Sequence, residues 1–116
     1  MRVELVFTLT EAEYIAGAKI AARRSRAPLP PFRPYEALFS PATLRFFEDW
    51  LELSGEQFWQ REPYALFDGL VETGTLFVFW HREGGFVTLP KRALPADERF
   101  LSFLRNTFAR KYRRTM

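Results

Sequence analysis

Cysteine is absent from the 116 residues, and histidine occurs once, as His81. The missing cysteines exclude a disulfide framework, a zinc–thiolate site and a thiol nucleophile. They also fit a cytoplasmic setting. A metal site needs several convergent donors, so the lone histidine is expected to be a surface residue in a loop. No apolar run reaches the roughly 18–20 residues that cross a bilayer as a helix. The first residues interleave Glu4, Glu11 and Glu13 with apolar side chains and do not form a signal-peptide core. No GxxxxGK[ST], GxSxG, HExxH or GxGxxG pattern occurs, so the chain is expected to be neither an enzyme nor a cofactor carrier. Hydrophobic residues are well supplied at 47%, with aromatics at 17% and 13 Phe. That composition supports one packed core and argues against disorder. The net charge of +3 gives a modest bias toward anionic partners.

The hairpin from Glu72 to Leu94 is the clearest element. Two apolar runs, Thr75–Trp80 and Phe86–Leu89, flank His81–Gly85, and Gly84-Gly85 supply the φ > 0 freedom of a tight reversal. At the other end of the chain, Val3, Leu5, Phe7 and Leu9 alternate with polar residues as a half-buried strand. Thr10 with Glu13 forms a capping box, and Leu9 with Tyr14 a hydrophobic staple. The helix they open continues through Ile15, Ala18 and Ala22 to Arg23–Arg26, where cations complement the helix dipole. Its apolar stripe is mostly alanine, which predicts close packing or loose attachment.

Pro28, Pro30, Pro31 and Pro34 forbid helix and central strand between Ala27 and Tyr35. The stretch reads as a stiff connector, with PxxP docking to an SH3-type groove as the weaker alternative. From Thr43, short strands are predicted at Thr43–Phe47, Trp50–Ser54, Gln57–Glu62, Tyr64–Phe67 and Leu70–Thr73, the last two parted by a turn at Asp68-Gly69. A short helical turn within Phe67–Thr73 is the alternative there. Pro95, Asp97 and Glu98 open a terminal helix with a Phe100, Leu101, Leu104, Phe108 stripe, expected to run to the chain's end and to pack on the meander. One α+β domain results: strand and helix over 1–26, linker 27–34, antiparallel meander 35–94 and helix 95–116. The fold class is a barrel or sandwich capped by the C-terminal helix, with an N-terminal β-α unit.

This order of parts resembles the YcxB-like family of bacterial proteins. The resemblance rests on VELVFTLTEAEY, Tyr64, Glu72-Thr73 and the Pro90-Lys91-Arg92 segment. It implies a pleckstrin-homology-like C-terminal domain. The family's usual transmembrane hairpin would fall where the chain has its proline-rich segment, 27–34.

Candidate contacts are cationic. Lys91 and Arg92, with Arg82 across the hairpin turn, form a set suited to a phosphate or lipid headgroup. The competing reading has Lys91 or Arg92 paired with Glu72 as a structural corner. Arg110, Lys111 and Arg113 add a basic tail that would favour the inner, anionic face of a membrane. Neighbouring aromatics such as Phe46-Phe47 and Phe58-Trp59 must point to opposite faces of a sheet. Some aromatic surface therefore either lies outside the core or is covered by the N-terminal strand and helix. The expected function is a non-catalytic interaction module whose partner is a protein, including a second copy in a homodimer. The alternative is peripheral binding to anionic lipid or phosphate. Nucleic acid is not expected, because no RNP or OB-type motif accompanies the aromatics.

Overall fold

The computed structural model describes residues 2–24, 39–56, 58–108 and 112–114. The proline-rich connector and most of the basic tail, Arg110 and Lys111 included, lie outside the described residues. The alternating N-terminal stretch forms strand β1 (Val3–Phe7) and leads into helix α1 (Glu11–Arg24). Strands β2 (Ala42–Phe46), β3 (Trp50–Gly55) and β4 (Phe58–Pro63) follow, then β5 (Phe67–Glu72), β6 (Leu76–His81) and β7 (Phe86–Pro90). Helix α2 (Glu98–Thr107) and strand β8 (Tyr112–Arg114) close the order. The strands make two sheets, β1-β2-β3-β4 and β7-β6-β5-β8. All pairs are antiparallel except β5 with β8. Among the described residues the two sheets do not close into a barrel.

The inner faces of both sheets meet in one core. Leu5 and Phe7 of β1, Leu44 and Phe46 of β2 and Leu51 and Leu53 of β3 face Leu70, Phe77, Phe79, Val87 and Leu89 of the second sheet. Helix α2 inserts Phe100 and Leu104, and Phe108 follows at its end. The expected stripe is thus buried, with the Phe100 ring 5.2 Å from Phe46 and the Phe108 ring 5.3 Å from Phe79. The outer face of the second sheet carries a smaller core of Val71, Leu76, Val78, Trp80 and Phe86 under α1. Apolar cover on both faces explains why β6 reads LFVFWH and is buried throughout, whereas β4 of the first sheet alternates.

Local chemistry sets the element ends. Thr10 Oγ1 accepts from the Glu13 amide at 3.1 Å, and Glu13 Oε1 accepts from the Thr10 amide at 2.9 Å, completing the capping box. Gly84 and Gly85 turn the β6–β7 hairpin at φ 109° and 93°. Asp97 caps α2 by accepting from the Arg99 amide at 2.9 Å.

Three expectations are corrected. Asp68-Gly69 is no turn: β5 runs through it, and Asp68 is the extra residue of a bulge between the Phe67–His81 and Gly69–Trp80 pairs. The helical turn lies earlier, at Tyr64–Leu66. There the Tyr64 hydroxyl donates to the Phe47 carbonyl at 2.6 Å, tying the crossover to the β2–β3 turn. The C-terminal helix stops at Thr107 instead of reaching the chain's end, and β8 then adds a parallel edge to β5.

The alanine stripe of α1 packs closely. Gly17 and Ala21 are its buried residues, and α1 lies across β6 and β7. A Cβ at Gly17 would fall well inside van der Waals contact distance of Thr88 Oγ1. Gly17→Ala is therefore expected to destabilise by about 1–2 kcal/mol, although alanine is ordinarily the better helix former. Thr88→Ala removes a hydroxyl that is buried without a hydrogen-bond partner, so the Gly17→Ala penalty should shrink in that background. Urea denaturation of the four-member cycle checks this, and stabilisation by Gly17→Ala alone would contradict it.

Candidate functional site

Glu72 ends β5 on the core side, two residues after the inward-facing Leu70, and it is fully buried. A bare carboxylate there would be costly, so cations must reach it. Lys91 Nζ donates to Oε2 at 2.7 Å and Arg114 Nη1 to the same oxygen at 2.6 Å. Arg105 grips both oxygens, Nε to Oε1 at 2.9 Å and Nη2 to Oε2 at 2.8 Å. These three side chains come from the 3-10 turn after β7 (Lys91–Ala93), from α2 and from β8. Lys91 also lies over the Phe77 ring, 5.3 Å from its centroid.

Arg92 turns away from this centre. Its Nε donates to Glu13 Oε2 at 2.9 Å, and its Nη2 donates to Glu13 Oε1 at 2.7 Å and to the Thr8 carbonyl at 2.5 Å. Glu13 thereby serves the cap of α1 and the corner after β7 together. The Arg92 hydrogen bond is the main reason the Glu13 carboxyl is held below its usual range. An open depression of ≈ 410 Å³, lined by Glu13, Gly74, Thr75, Lys91 and Arg92, sits beside these pairs.

The sequence-predicted set does not gather at one place. Lys91 and Arg92 follow the Leu76–Pro90 end of the β6–β7 ladder, whereas Arg82 follows the Trp80–Phe86 end. Arg82 Nη2 donates to the Ala65 carbonyl at 3.0 Å and fastens the Tyr64–Leu66 turn. Arg113 contributes its backbone to β8 opposite Val71. Sequence reasoning missed both Arg105 and Arg114 as partners of Glu72. No local pattern signals either one, because they reach Glu72 across 33 and 42 residues of chain.

His81 is also corrected. It ends β6 and is only 3% exposed, not a surface residue. Its Nδ1 accepts from the Glu83 amide at 3.0 Å, so Nε2 carries the proton and donates to Glu62 Oε2 at 3.0 Å. That bond joins β6 of one sheet to β4 of the other. Among the described residues no group of three or more His, Asp or Glu side chains is arranged to hold a metal, and no helix is long and apolar enough to cross a membrane.

The remaining feature is the outer face of the first sheet. The register aligns Glu4, Arg45, Glu52 and Arg61 in one row across the four strands, and Val6, Thr43, Ser54 and Trp59 in the next. Val6 is 63% and Trp59 59% exposed. Beyond the charged row, the Phe47 and Trp50 rings stack at 5.1 Å. Arg2 lies over Phe47 at 5.4 Å and Arg61 over Trp50 at 4.5 Å. Both halves of the expected choice occur: α1 covers Trp80 and Phe86 on the other sheet, whereas among the described residues Val6 and Trp59 stay exposed here, with β1 extending this sheet at its edge. No protein-family model matches the chain, and no curated protein or solved structure matches it either.

Two measurements check the ionic centres. Glu72→Gln keeps the shape but strips three cations of their shared acceptor, and should destabilise by about 3 kcal/mol in urea denaturation. Arg114→Ala, whose side chain is 51% exposed, should cost no more than about 1 kcal/mol. Because the folded Glu13 pKa is depressed, its stabilising contribution is present above its unfolded value and is lost as pH falls through the folded one. The urea midpoint should therefore drop more in wild type than in Glu13→Gln between about pH 5 and pH 3. Parallel curves would contradict the Arg92 linkage.

Proposed function

We propose that this chain is a non-catalytic interaction module whose binding surface is the outer face of the β1–β4 sheet. The observation that carries the proposal is Trp59, a large aromatic that stands in solvent although most of the described aromatic rings are buried or half-buried. The same face carries the charged row with Arg45 and Arg61 and, beyond that row, the stacked Phe47–Trp50 pair with Arg2 over Phe47. Aromatic and arginine side chains are the groups that anchor protein interfaces, and the rigid rings supply large contact area at low entropic cost. The acidic members of the charged row, Glu4 and Glu52, would meet a nucleic-acid backbone with repulsion. A protein surface of mixed charge suits the face better.

The likeness to YcxB-like proteins, and to a pleckstrin-homology-like domain, belongs to the same proposal. The order of strand, helix, meander, hairpin and helix supports it, while two unclosed sheets and a parallel β8 are features it does not anticipate. The rival reading is capture of an anionic headgroup or phosphate beside Lys91 and Arg92, and it draws on the open depression there. It has less support, because both side chains already hold carboxylates.

The test is retention of partner protein from a cell lysate by the immobilised chain. Trp59→Ser should retain less than about a tenth of what wild type retains, the scale of one interface anchor, with unchanged circular dichroism. Equal retention by the two would overturn the proposal.

A further inference from the structure

The order of charges across the first sheet bears on which partner the face would fit. In register, the row reads Glu4, Arg45, Glu52, Arg61 from β1 to β4, so its signs alternate minus, plus, minus, plus. We infer that the partner is a second copy of this chain, docked face to face about a two-fold axis parallel to the strands. This rests on the reading of the face given above and names its occupant.

Two packed sheets can be related by an axis in the interface plane that runs along the strands or across them. An axis across the strands keeps the row's order and sets each charge against its own like. An axis along the strands reverses the order. Glu4 then meets the partner subunit's Arg61 and Arg45 meets the partner subunit's Glu52, so all four positions in the row are matched. The same reversal sets Trp59 on the partner's Val6, the two most exposed apolar side chains of the face. It also sets Thr43 against the partner's Ser54, and Phe47 against the partner's Trp50. Sheets that pack face to face align their strands to within about 30°, which keeps the centre of the row in register. The contact is isologous, as a two-fold interface must be. The one ion pair within the row, Arg45 with Glu4 at 3.1 Å, leaves the two side chains 38% and 57% exposed, so both remain open to a facing charge.

Sedimentation equilibrium of the purified full chain tests this with two charge reversals, Glu4→Arg and Arg61→Glu. Wild type should self-associate reversibly to a dimer at concentrations up to about 1 mM. Each reversal alone creates two like-charge contacts in the homodimer and should weaken association at least about tenfold. In a mixture of the two variants, the arginine introduced by Glu4→Arg faces the glutamate introduced by Arg61→Glu. The unaltered Arg61 of the first variant still faces the unaltered Glu4 of the second, so the heterodimer should form nearly as well as wild type. The double variant on one chain should recover likewise. Thermal melts of each variant register folding, and recovery on mixing itself requires folded chains. A wild type that stays monomeric throughout overturns the inference. If retention from lysate still depends on Trp59 in that case, the face binds a different protein and only the second-copy assignment falls. A dimer indifferent to both reversals places the contact elsewhere and overturns it. Variants that weaken but are not restored by mixing overturn the axis.

Discussion

Glu72 is a carboxylate with no exposed surface, and the rest of the second sheet is arranged around satisfying it. Lys91, Arg105 and Arg114 reach it from the turn after β7, from α2 and from β8. Removing a carboxylate from water costs several kcal/mol even after relaxation, and only close, well-directed cations offset that loss. The offset comes from one convergence: β5 ends at this edge, the hairpin returns to it, and α2 and β8 bring their arginines back to it. Apolar contacts would tolerate a helix slid or rotated along its groove. A buried acid with a bidentate Arg105 does not, because guanidinium and carboxylate meet in plane. The ionic centre therefore fixes the register of α2, and with it the depth to which Phe100 and Leu104 enter the core.

That placement decides which surfaces remain. With α2 and the first sheet on its inner face and α1 on its outer face, the second sheet has no free side. Close approach of α1 depends on Gly17 over Thr88, so this outer layer is as tightly specified as the inner one. Both helices among the described residues are thereby committed, and no described helix covers the outer face of the first sheet. Its strands alternate for that reason, with Leu44, Phe46, Leu51 and Leu53 inward and Thr43, Arg45, Glu52 and Ser54 outward. Which face is left for the proposed interaction follows from where the described helices pack, before any property of its own residues is considered.

The features legible in the sequence were those written in neighbouring residues. The capping box at Thr10 and Glu13, the glycine reversal at Gly84-Gly85 and the Phe100–Leu104–Phe108 stripe each need only a few positions of context. The pairing of Lys91 with Glu72 was one of two readings, because a Lys-Arg dipeptide after a strand serves a ligand or a corner equally well. What settles it is Arg105 and Arg114, brought to the same carboxylate across 33 and 42 residues, a convergence no local pattern encodes. Asp68-Gly69 has the composition of a turn, yet the pairing of β5 with β6 on both sides of it converts it to a bulge. His81 looked like a loop residue until Glu62, 19 residues earlier on the other sheet, supplied the partner that lets an imidazole be buried.

The charged row on the first sheet is likewise a product of the fold's own needs. Opposite charges on adjacent strands stabilise a sheet, and like charges directly opposite destabilise it, so a row of charged residues tends to alternate in sign. In a sheet of three or five strands an alternating row is symmetric about its midline, and a reversed copy would set like against like. In a sheet of four it is antisymmetric, and a reversed copy is complementary at every position. Electrostatic matching of this kind fixes orientation and excludes wrong partners more than it adds affinity. The affinity would come from desolvating Trp59, Val6 and the Phe47–Trp50 stack. Cross-strand pairing that stabilises one chain thus supplies, with no additional residue, the code by which two chains would align.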